Sequence, residues 1–478
     1  MGNEMQIGQK RQPTFFIALL PILSMLVIIG VGYSLWKLPL TVVLLLSGVA
    51  VALVAKYLGY TWSEMQGSIA EKISQSTGAI LILLSVGMMI GAWMASGTLP
   101  MMIYYGIQII NPKFLYVTAF LSTAIVSVLT GTSYGAVGTM GIVVMSIAST
   151  LGLSMPIAAG AALSGAYFGD KLTPLSDTTI LASTVTNVDI YQHIKHMLWT
   201  TIPATLLGLA VYFLVGLRSQ GGDVTSELVS NMMAQLDMIY NWNILLLLPM
   251  LIVLIGSFLH YPTVPVMFLS SVVACVLAMT VQDFTFKNVL TACANGFNVN
   301  MVVREGFDAK IIISEVTRLI NRGGMSSMMG MILILYCAYI YGGIISLTGC
   351  LDTILQKLLT KVTTTAGLIT STVVSCLLMS LIGGTSYLSI IIPGELFQNA
   401  YKAKGLDLRN LSRTLEDSGT VVVPLIPWAS AGVYMSATLG VPTLEYLPWA
   451  IMNYTGFMFA IFYACTGISI KKAGVDNR

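Results

Sequence analysis

LTGTSYGAVGTMG (residues 129–141) and SGAYFGDKLTPLSDTTILAS (residues 164–183) are the stretches that decide the fold of this chain. Both are rich in small, hydroxyl-bearing or helix-breaking residues, and both lie within long apolar surroundings. A bilayer has no water for the backbone groups that Gly and Pro set free, so irregular backbone is tolerated there only against protein or a wet cavity. The second stretch also carries Asp170, Lys171 and Asp177. Ionisable groups at membrane depth are costly, so they indicate an ion or substrate path.

The same order of features occurs again in the second half of the chain. SLIGGTSYLSIIIPG (residues 380–394) repeats the Gly-Thr-Ser-Tyr of residues 131–134 at residues 384–387. It is followed by LEDSGTVVVPLIPWASAG (residues 415–432), which contains two acids and two prolines. Paired interrupted segments at corresponding positions of two halves are the best sequence indication of a transporter's binding site.

The composition places the chain among polytopic helical membrane proteins. Of its 478 residues, 56% are hydrophobic and 9% are charged, and the mean hydropathy is +0.84. Soluble domains average about 25% charged residues, so a soluble domain is excluded. No basic patch indicates a nucleic-acid partner. The six cysteines are scattered without metal-ligand spacing or a disulfide framework, so we expect small core residues and no cofactor.

The hydropathy pattern predicts an all-α membrane protein with about ten transmembrane helices and two re-entrant hairpins. Two five-span halves, residues 1–217 and 243–478, flank a polar linker at residues 218–242. Each half consists of three spans, a surface helix, a hairpin, a broken helix and a last span. An odd number of spans per half reverses the second half relative to the first, which is the geometry of an inverted repeat.

Small residues locate the predicted hairpins and breaks. The first hairpin is predicted at about residues 114–151, with its tip at Gly131–Ser133, and a single long tilted helix is the alternative. The second is predicted at about residues 364–400, with its tip at Gly383–Ser386. The broken helices are predicted at about residues 154–186 and 412–439.

Lys and Arg are concentrated in the loops on the side of both termini, so the positive-inside rule predicts cytoplasmic termini. The first hairpin then opens outward and the second inward. His193 and His196 are expected in a connection before a span at residues 197–217. A solvated role is the simpler interpretation of both histidines, and pH sensing is the alternative.

At GTSYGAVGTMG (residues 131–141), GAYFGDKLTPLSDTT (residues 165–179) and LSRTLEDSGTVVVPLIPW (residues 411–428), the chain resembles the NhaC family of sodium/proton antiporters. The resemblance extends from about the second span to the last. It implies a secondary transporter of the bacterial cell membrane in the wider ion-transporter superfamily, often a homodimer that works as an elevator. Relatives resemble malate/lactate exchangers. Family members often have a polar, Asn-containing stretch after Pro-Trp, where this chain has Ala429-Ser430.

The candidate ion ligands are hydroxyls and carboxylates at the tips and breaks. Sodium prefers several hard oxygen ligands, and a carboxylate balances its charge. The predicted ion- or substrate-binding residues are Thr132, Ser133, Asp170, Thr173, Asp177, Thr178, Thr385, Ser386, Asp417 and Thr420. Within this set, we predict the sodium ion at Ser133, Asp177, Ser386 and Asp417. A poorly solvated carboxylate has a raised pKa and holds a proton near neutral pH, so sodium and protons displace each other.

Each candidate acid also has a structural interpretation. Asp177 could cap a helix that starts at Thr178, and Asp170 could be neutralised by Lys171. Glu416 is expected nearer the membrane interface and ranks below Asp417.

Other functions compete with sodium/proton exchange. Sodium- or proton-coupled exchange of a small organic acid (malate/lactate) or an amino acid is the main alternative, because hydroxyl tips and helix N-termini also suit a carboxylate. An ion channel is disfavoured, because breaks of opposite orientation suit alternating access. An intramembrane hydrolase is disfavoured too, because Ser133 has no base near it in sequence beyond Lys171.

Overall fold

The structure is a computed structural model that describes residues 10–219, 226–302, 307–360 and 362–474. Within these ranges the chain contains helices and connections but no strand. Nine of the described helices are long and apolar enough to cross a membrane, and the number rises to eleven if each of two bent pairs is one span. The chain is therefore a multi-span helical membrane protein. Parts of the predicted linker and halves, residues 1–9, 220–225, 303–306, 361 and 475–478, lie outside the described residues.

The first part of the described chain forms eleven α-helices. They are α1 (Phe15–Ile28), α2 (Leu40–Tyr57), α3 (Trp62–Gln75), α4 (Thr77–Ser96), α5 (Thr98–Ile109), α6 (Leu115–Thr130), α7 (Ser133–Ala136), α8 (Ile142–Thr150), α9 (Met155–Lys171), α10 (Asp177–Thr186) and α11 (Ile190–Arg218). A π-helical segment, Ile29–Leu35, extends α1, and another, Val137–Gly141, joins α7 to α8. The predicted broken helix at residues 154–186 corresponds to α9 and α10.

The second part of the described chain forms thirteen more α-helices. They are α12 (Ser226–Ile239), α13 (Leu248–Phe258), α14 (Thr263–Thr280), α15 (Phe286–Asn295), α16 (Ser314–Ile320), α17 (Met329–Leu347), α18 (Cys350–Thr360), α19 (Thr365–Gly383), α20 (Ser386–Ala403), α21 (Leu408–Leu415), α22 (Ser430–Leu439), α23 (Thr443–Tyr446) and α24 (Ile451–Thr466). The predicted linker thus contains a helix, α12. A π-helical segment, Glu416–Thr420, continues α21, and the chain bends by 49° before α22.

The surface helix α3 is held at its start by side-chain capping. The Thr61 hydroxyl accepts a hydrogen bond from the Glu64 amide, and the Glu64 carboxylate accepts one from the Thr61 amide at 2.9 Å. This reciprocal pair satisfies two amides that the first turn of a helix leaves unpaired. The Lys10 ammonium, 2.6 Å from Glu64, and the Thr61 amide lower the pKa of Glu64 to about 2. The start of the described chain is therefore tied to α3.

The two Gly-Thr-Ser-Tyr stretches adopt the same backbone conformation. Gly131 ends α6 with φ +72°, and Gly384 ends α19 with φ +67°. Glycine enters this left-handed region without the steric cost of a Cβ atom. The following Thr132 and Thr385 are extended, with φ −148° and −141°, and a new helix begins at the next serine. We name these stretches turn 1 (residues 131–134) and turn 2 (residues 384–387), and each interrupts its helix where an interruption was predicted.

Close packing of α9 against α6 brings turn 1 beside the end of α9. A Cβ atom at Gly165 would lie 2.1 Å from the carbonyl oxygen of Phe120, and one at Gly169 would lie 2.5 Å from Ser127 Cβ. Small residues allow such close approach of helices in membranes. The Ser127 hydroxyl also donates to the Ala166 carbonyl at 2.6 Å. The gap between α9 and α10, residues 172–176, is named break 1, and residues 416–429 are named break 2.

Candidate ion-binding site

A cavity of about 370 Å³ lies where the two turns and the two breaks meet. Its wall combines segments that are more than 200 residues apart, as Ser133 and Thr385 illustrate. Seven of the ten predicted site residues line it: Ser133, Asp170, Asp177, Thr178, Thr385, Ser386 and Thr420. The structure therefore brings hydroxyls from both turns and two carboxylates from around break 1 to one space.

The other three predicted residues do not line the cavity. The Thr132 hydroxyl accepts a hydrogen bond from the Gly135 amide at 3.4 Å, and the Thr173 hydroxyl accepts one from the Leu175 amide at 3.3 Å. These contacts stabilise turn 1 and break 1 locally. Asp417 lies behind the cavity wall in an ion pair.

Asp170 connects turn 1 to the end of α9. The Ser133 hydroxyl donates to Asp170 Oδ2 at 2.8 Å, and both side chains are buried. At turn 2, the amide and the hydroxyl of Ser430 both donate to the Gly384 carbonyl, at 2.9 and 3.1 Å. Each turn is thus held by a polar residue beside a helix break. Ser430 also lines the cavity.

Asp177 is the first residue of α10, and Ser176 is the N-cap residue. The expectation that Asp177 caps a helix starting at Thr178 is therefore wrong, because the helix starts one residue earlier. The Asp177 side chain is exposed to the cavity, with Tyr387 of turn 2 beside it. A carboxylate at the first turn of a helix is favoured by the helix dipole, so the charge of Asp177 is stabilised at the cavity surface.

Glu416 is fully buried, contrary to the expectation that it lies toward the membrane interface. The Thr178 hydroxyl donates to Glu416 Oε1 at 3.2 Å, so a residue of break 2 contacts α10. The expected interfacial position is not observed, because the side chain, in the π-helical segment, faces α10. Glu416 therefore lies beside the candidate site, through its contact with the cavity residue Thr178.

Lys171 and Asp417 form an ion pair between the two halves of the chain. Their side chains are 1% and 0% exposed, and the Thr200 hydroxyl donates to Asp417 Oδ1 at 3.1 Å. Lys171 therefore pairs with an acid from break 2 and does not neutralise its neighbour Asp170. Burying one of these charges alone would be strongly unfavourable, so each holds the other in place. The pair fixes α9 against break 2.

The charges around the cavity are unbalanced. Four carboxylates, of Asp170, Asp177, Glu416 and Asp417, face one ammonium, of Lys171, which leaves three formal negative charges when all are ionised. The residues that line the cavity include no Lys, Arg or His. Among the described residues, no group of three or more His, Cys, Asp or Glu is placed to hold a metal ion, so hydroxyl or backbone oxygens must complete any cation site.

Several cavity residues were not predicted. Tyr134 and Tyr387 belong to the repeated Gly-Thr-Ser-Tyr, so the repeat itself was the signal that identified them. Tyr134 also stacks on Tyr434, whose hydroxyl donates to the Tyr134 carbonyl at 2.8 Å. Tyr167 lies in the stretch that carries Asp170, three residues before it. Four others lie on or beside helices remote in sequence and carry no local signal: Gln75, Ser76, Thr263 and Tyr339.

His193 and His196 lie within α11, and both are buried. The expectation of a solvated connection before residue 197 is therefore wrong. Polar residues suggested a loop, but a contact with α21 allows His193 to be buried in a helix. The His193 Nδ1 atom is 2.8 Å from the Ser412 hydroxyl oxygen.

A multi-span helical protein with interrupted helices around a carboxylate-lined cavity has the features of a secondary transporter. The chain belongs to the Na+/H+ antiporter family, whose model matches residues 165–468. An uncharacterized Na(+)/H(+) antiporter of Haemophilus influenzae is 46% identical over 465 residues, which cover 97% of this chain and 98% of that protein. The Na(+)/H(+) antiporter NhaC of Alkalihalophilus pseudofirmus is 36% identical over 91% of each chain. A malate-2H(+)/Na(+)-lactate antiporter of Bacillus subtilis is 32% identical over 96% of each.

Proposed function

We propose that this protein exchanges sodium ions for protons across the bacterial cell membrane by alternating access. The observation that carries this proposal is the cavity, which is lined by Asp170 and Asp177 without a cationic side chain. A poorly solvated site with surplus negative charge is neutralised by binding cations or protons. Membership in the Na+/H+ antiporter family also supports sodium ions and protons as the two exchanged ions.

The geometry favours a revised set of sodium ligands. Ser133, Asp177 and Ser386 line the cavity together, whereas Asp417 is engaged by Lys171. We therefore place the sodium ion among Ser133, Asp170, Asp177 and Ser386. A proton on Asp170 or Asp177 removes the charge that balances sodium, so the two ions compete for one site.

The proposal includes an inverted repeat with two re-entrant hairpins. The matching backbone of turn 1 and turn 2 supports equivalence of the halves at residues 1–217 and 243–478. The distribution of Lys and Arg supports cytoplasmic termini. In an elevator, the turns and breaks would move together past α4, α14 and α17, as part of a homodimer.

Exchange of a small organic acid is the second candidate. A cavity of about 370 Å³ exceeds the space that a sodium ion needs, since one water molecule occupies about 30 Å³ of liquid volume. The similarity to a malate-2H(+)/Na(+)-lactate antiporter also favours this candidate. It ranks second because the cavity offers no cationic side chain to receive a carboxylate.

Proteoliposomes containing the purified protein separate the two candidates. An inward sodium gradient is expected to drive proton efflux, reported by an internal pH dye, without any organic compound present. Direct competition further requires that the apparent affinity for sodium falls as the pH is lowered. Proton movement that requires added malate or lactate would establish the second candidate, and a sodium affinity independent of pH would exclude a shared carboxylate.

A further inference from the structure

Four tyrosines line the cavity together with its two carboxylates. Tyr134 belongs to turn 1 and Tyr387 to turn 2, while Tyr167 lies in α9 and Tyr339 in α17. Four separate segments therefore each bring one aromatic side chain to the same space. Sodium is bound by hard oxygen ligands, so the sodium site proposed above gives these rings no role.

The rings lie close to the carboxylates. Tyr387 lies beside Asp177, and its side chain is 51% exposed, so protein does not cover the whole ring. Tyr134 and Tyr167 lie beside each other and beside Asp170. At each side of break 1, a carboxylate of the cavity therefore has an aromatic neighbour.

This combination of groups suits an organic cation. The face of an aromatic ring carries partial negative charge and attracts an ammonium group within about 6 Å of the ring centre. A carboxylate balances the full charge and accepts hydrogen bonds from the ammonium group. Aromatic side chains also bury apolar area, which an alkyl chain can share and a sodium ion cannot.

The volume and the charge of the cavity limit the class of this cation. At about 370 Å³, the cavity lies near the lower end of the range of about 300–1,000 Å³ that small-molecule sites occupy, so it fits a compact molecule. No Lys, Arg or His among the described residues that line it receives a carboxylate, and the N-terminus of α10 carries Asp177 itself. The carboxylate of an amino acid would therefore be repelled here by Asp170 and Asp177. An amine without a carboxylate avoids this repulsion.

We propose that the cavity also binds and carries small primary alkylamines, in their ammonium form, in place of sodium. The ammonium group binds at Asp170 and Asp177, and the alkyl chain packs against the tyrosine rings. A proton on either carboxylate weakens its attraction to the ammonium group, so amines and protons compete as sodium and protons do. This inference rests on the proposed sodium/proton exchange, and it adds a second class of cation at the same site.

Displacement of radioactive sodium from the purified protein in detergent tests the binding step. The probes are butylamine and 4-aminobutanoate, which have the same number of carbon atoms and differ in that a carboxylate replaces the terminal methyl group. Potassium chloride controls for ionic strength, and at about pH 8 both amines carry an ammonium group. We expect half-displacement by butylamine at a concentration at least about tenfold below those of 4-aminobutanoate and potassium.

Two substitutions of Tyr387 separate the aromatic ring from the hydroxyl group. The measured quantity is the ratio of the half-displacing concentrations of butylamine and unlabelled sodium, which does not depend on how much of the protein is folded. Tyr387→Leu is expected to raise this ratio by about two- to thirtyfold, the range of a ring–cation contact, whereas Tyr387→Phe keeps the ring and the ratio. The matched control is Tyr191→Leu in α11, because Tyr191 is 70% exposed and does not line the cavity. It is expected to leave the ratio unchanged.

Proteoliposomes test whether a bound amine is also carried. Radioactive 1,4-diaminobutane is supplied outside sodium-loaded vesicles, because its two charges prevent it from crossing lipid unaided. Uptake above that of protein-free liposomes is expected.

Butylamine that is no more effective than potassium would overturn the inference, and so would an unchanged ratio in Tyr387→Leu or an absence of diamine uptake. Equal displacement by 4-aminobutanoate would overturn the assignment to amines without a carboxylate. Sodium-driven proton efflux without any amine is measured on the same preparation of protein. If this efflux occurs while amines displace no sodium, the amine inference alone fails. If the efflux is absent, the proposed sodium/proton exchange fails, whatever the amines do.

Discussion

Asp177 differs from the other acids of the site in its exposure. It begins α10 and faces the cavity, whereas Asp170, Glu416 and Asp417 are buried and accept hydrogen bonds from Ser133, Thr178 and Thr200. A carboxylate that is open to the cavity can release and rebind a cation without breaking internal contacts. Asp177 is therefore the acid from which we expect the largest effect on exchange.

Asp177→Asn is expected to abolish sodium-dependent proton movement while the protein remains folded in the membrane. The substitution preserves size and helix position but removes the charge that balances sodium. Proton flux in proteoliposomes and elution from a size-exclusion column measure the two properties. Asp283→Asn is the matched control, because Asp283 is exposed between α14 and α15 in a left-handed conformation that Asn accepts. Normal exchange by the Asp177→Asn variant would indicate that the ion binds at Asp170 and not at Asp177.

At the scale of elements, the Lys171–Asp417 ion pair depends on a glycine on the surface of α24, Gly456. A Cβ atom at Gly456 would lie 3.3 Å from Asp417 Oδ1 and 4.0 Å from Lys171 Nζ. The glycine therefore leaves the space in which the two charges meet. An added methyl group at this position must displace the carboxylate or the helix.

Gly456→Ala is expected to lower the melting temperature of the detergent-solubilised protein, because overpacking a buried site costs about 1–3 kcal/mol. The matched control is Gly67→Ala in α3, where a Cβ atom meets nothing within 4 Å. That substitution is expected to stabilise the protein slightly, by about 0.5–1 kcal/mol, because Ala is the better helix former. Equal melting temperatures for Gly456→Ala and the unaltered protein would show that the ion pair tolerates the added volume.

The interruptions of the helices could be predicted from the sequence because their signals are local. Gly131 and Gly384 adopt a conformation that favours glycine, and each is followed by an extended threonine and a new helix. The partners of the acids could not be predicted, because Lys171–Asp417 and Thr178–Glu416 join residues that are 246 and 238 positions apart. The start of α11 was missed for the same reason, since Ser412 of another helix makes a buried His193 acceptable.

At the scale of the whole molecule, the orientation in the membrane decides from which side the cavity is reached. The cavity is lined by Gln75 and Ser76, at the junction of α3 and α4. If the termini are cytoplasmic, this junction lies on the cytoplasmic side, because α1 and α2 cross the membrane before it. The structure then corresponds to a state accessible from the cytoplasm.

Labelling of introduced cysteines tests this orientation. Lys404→Cys, between α20 and α21, is expected to react with a membrane-impermeant maleimide only after the cells are permeabilised. Lys287→Cys in α15 is expected to react in intact cells. Both positions are exposed, and Cys465, the exposed native cysteine of the described chain, is first replaced by Ser. The reverse labelling pattern would place the termini outside and the cavity opening on the external side.

The ion pair between the two halves also has a consequence for biosynthesis. Lys171 is made 246 residues before its partner. At about 5–20 residues per second, a ribosome takes roughly 12–50 s to reach Asp417. During that interval the ammonium has no counter-ion from break 2, and α9 cannot settle in its final place. The first half of the nascent chain therefore remains an incomplete assembly until most of the second half has been synthesised, and a ribosome that stalls between the two residues leaves a charged helix for quality control to remove.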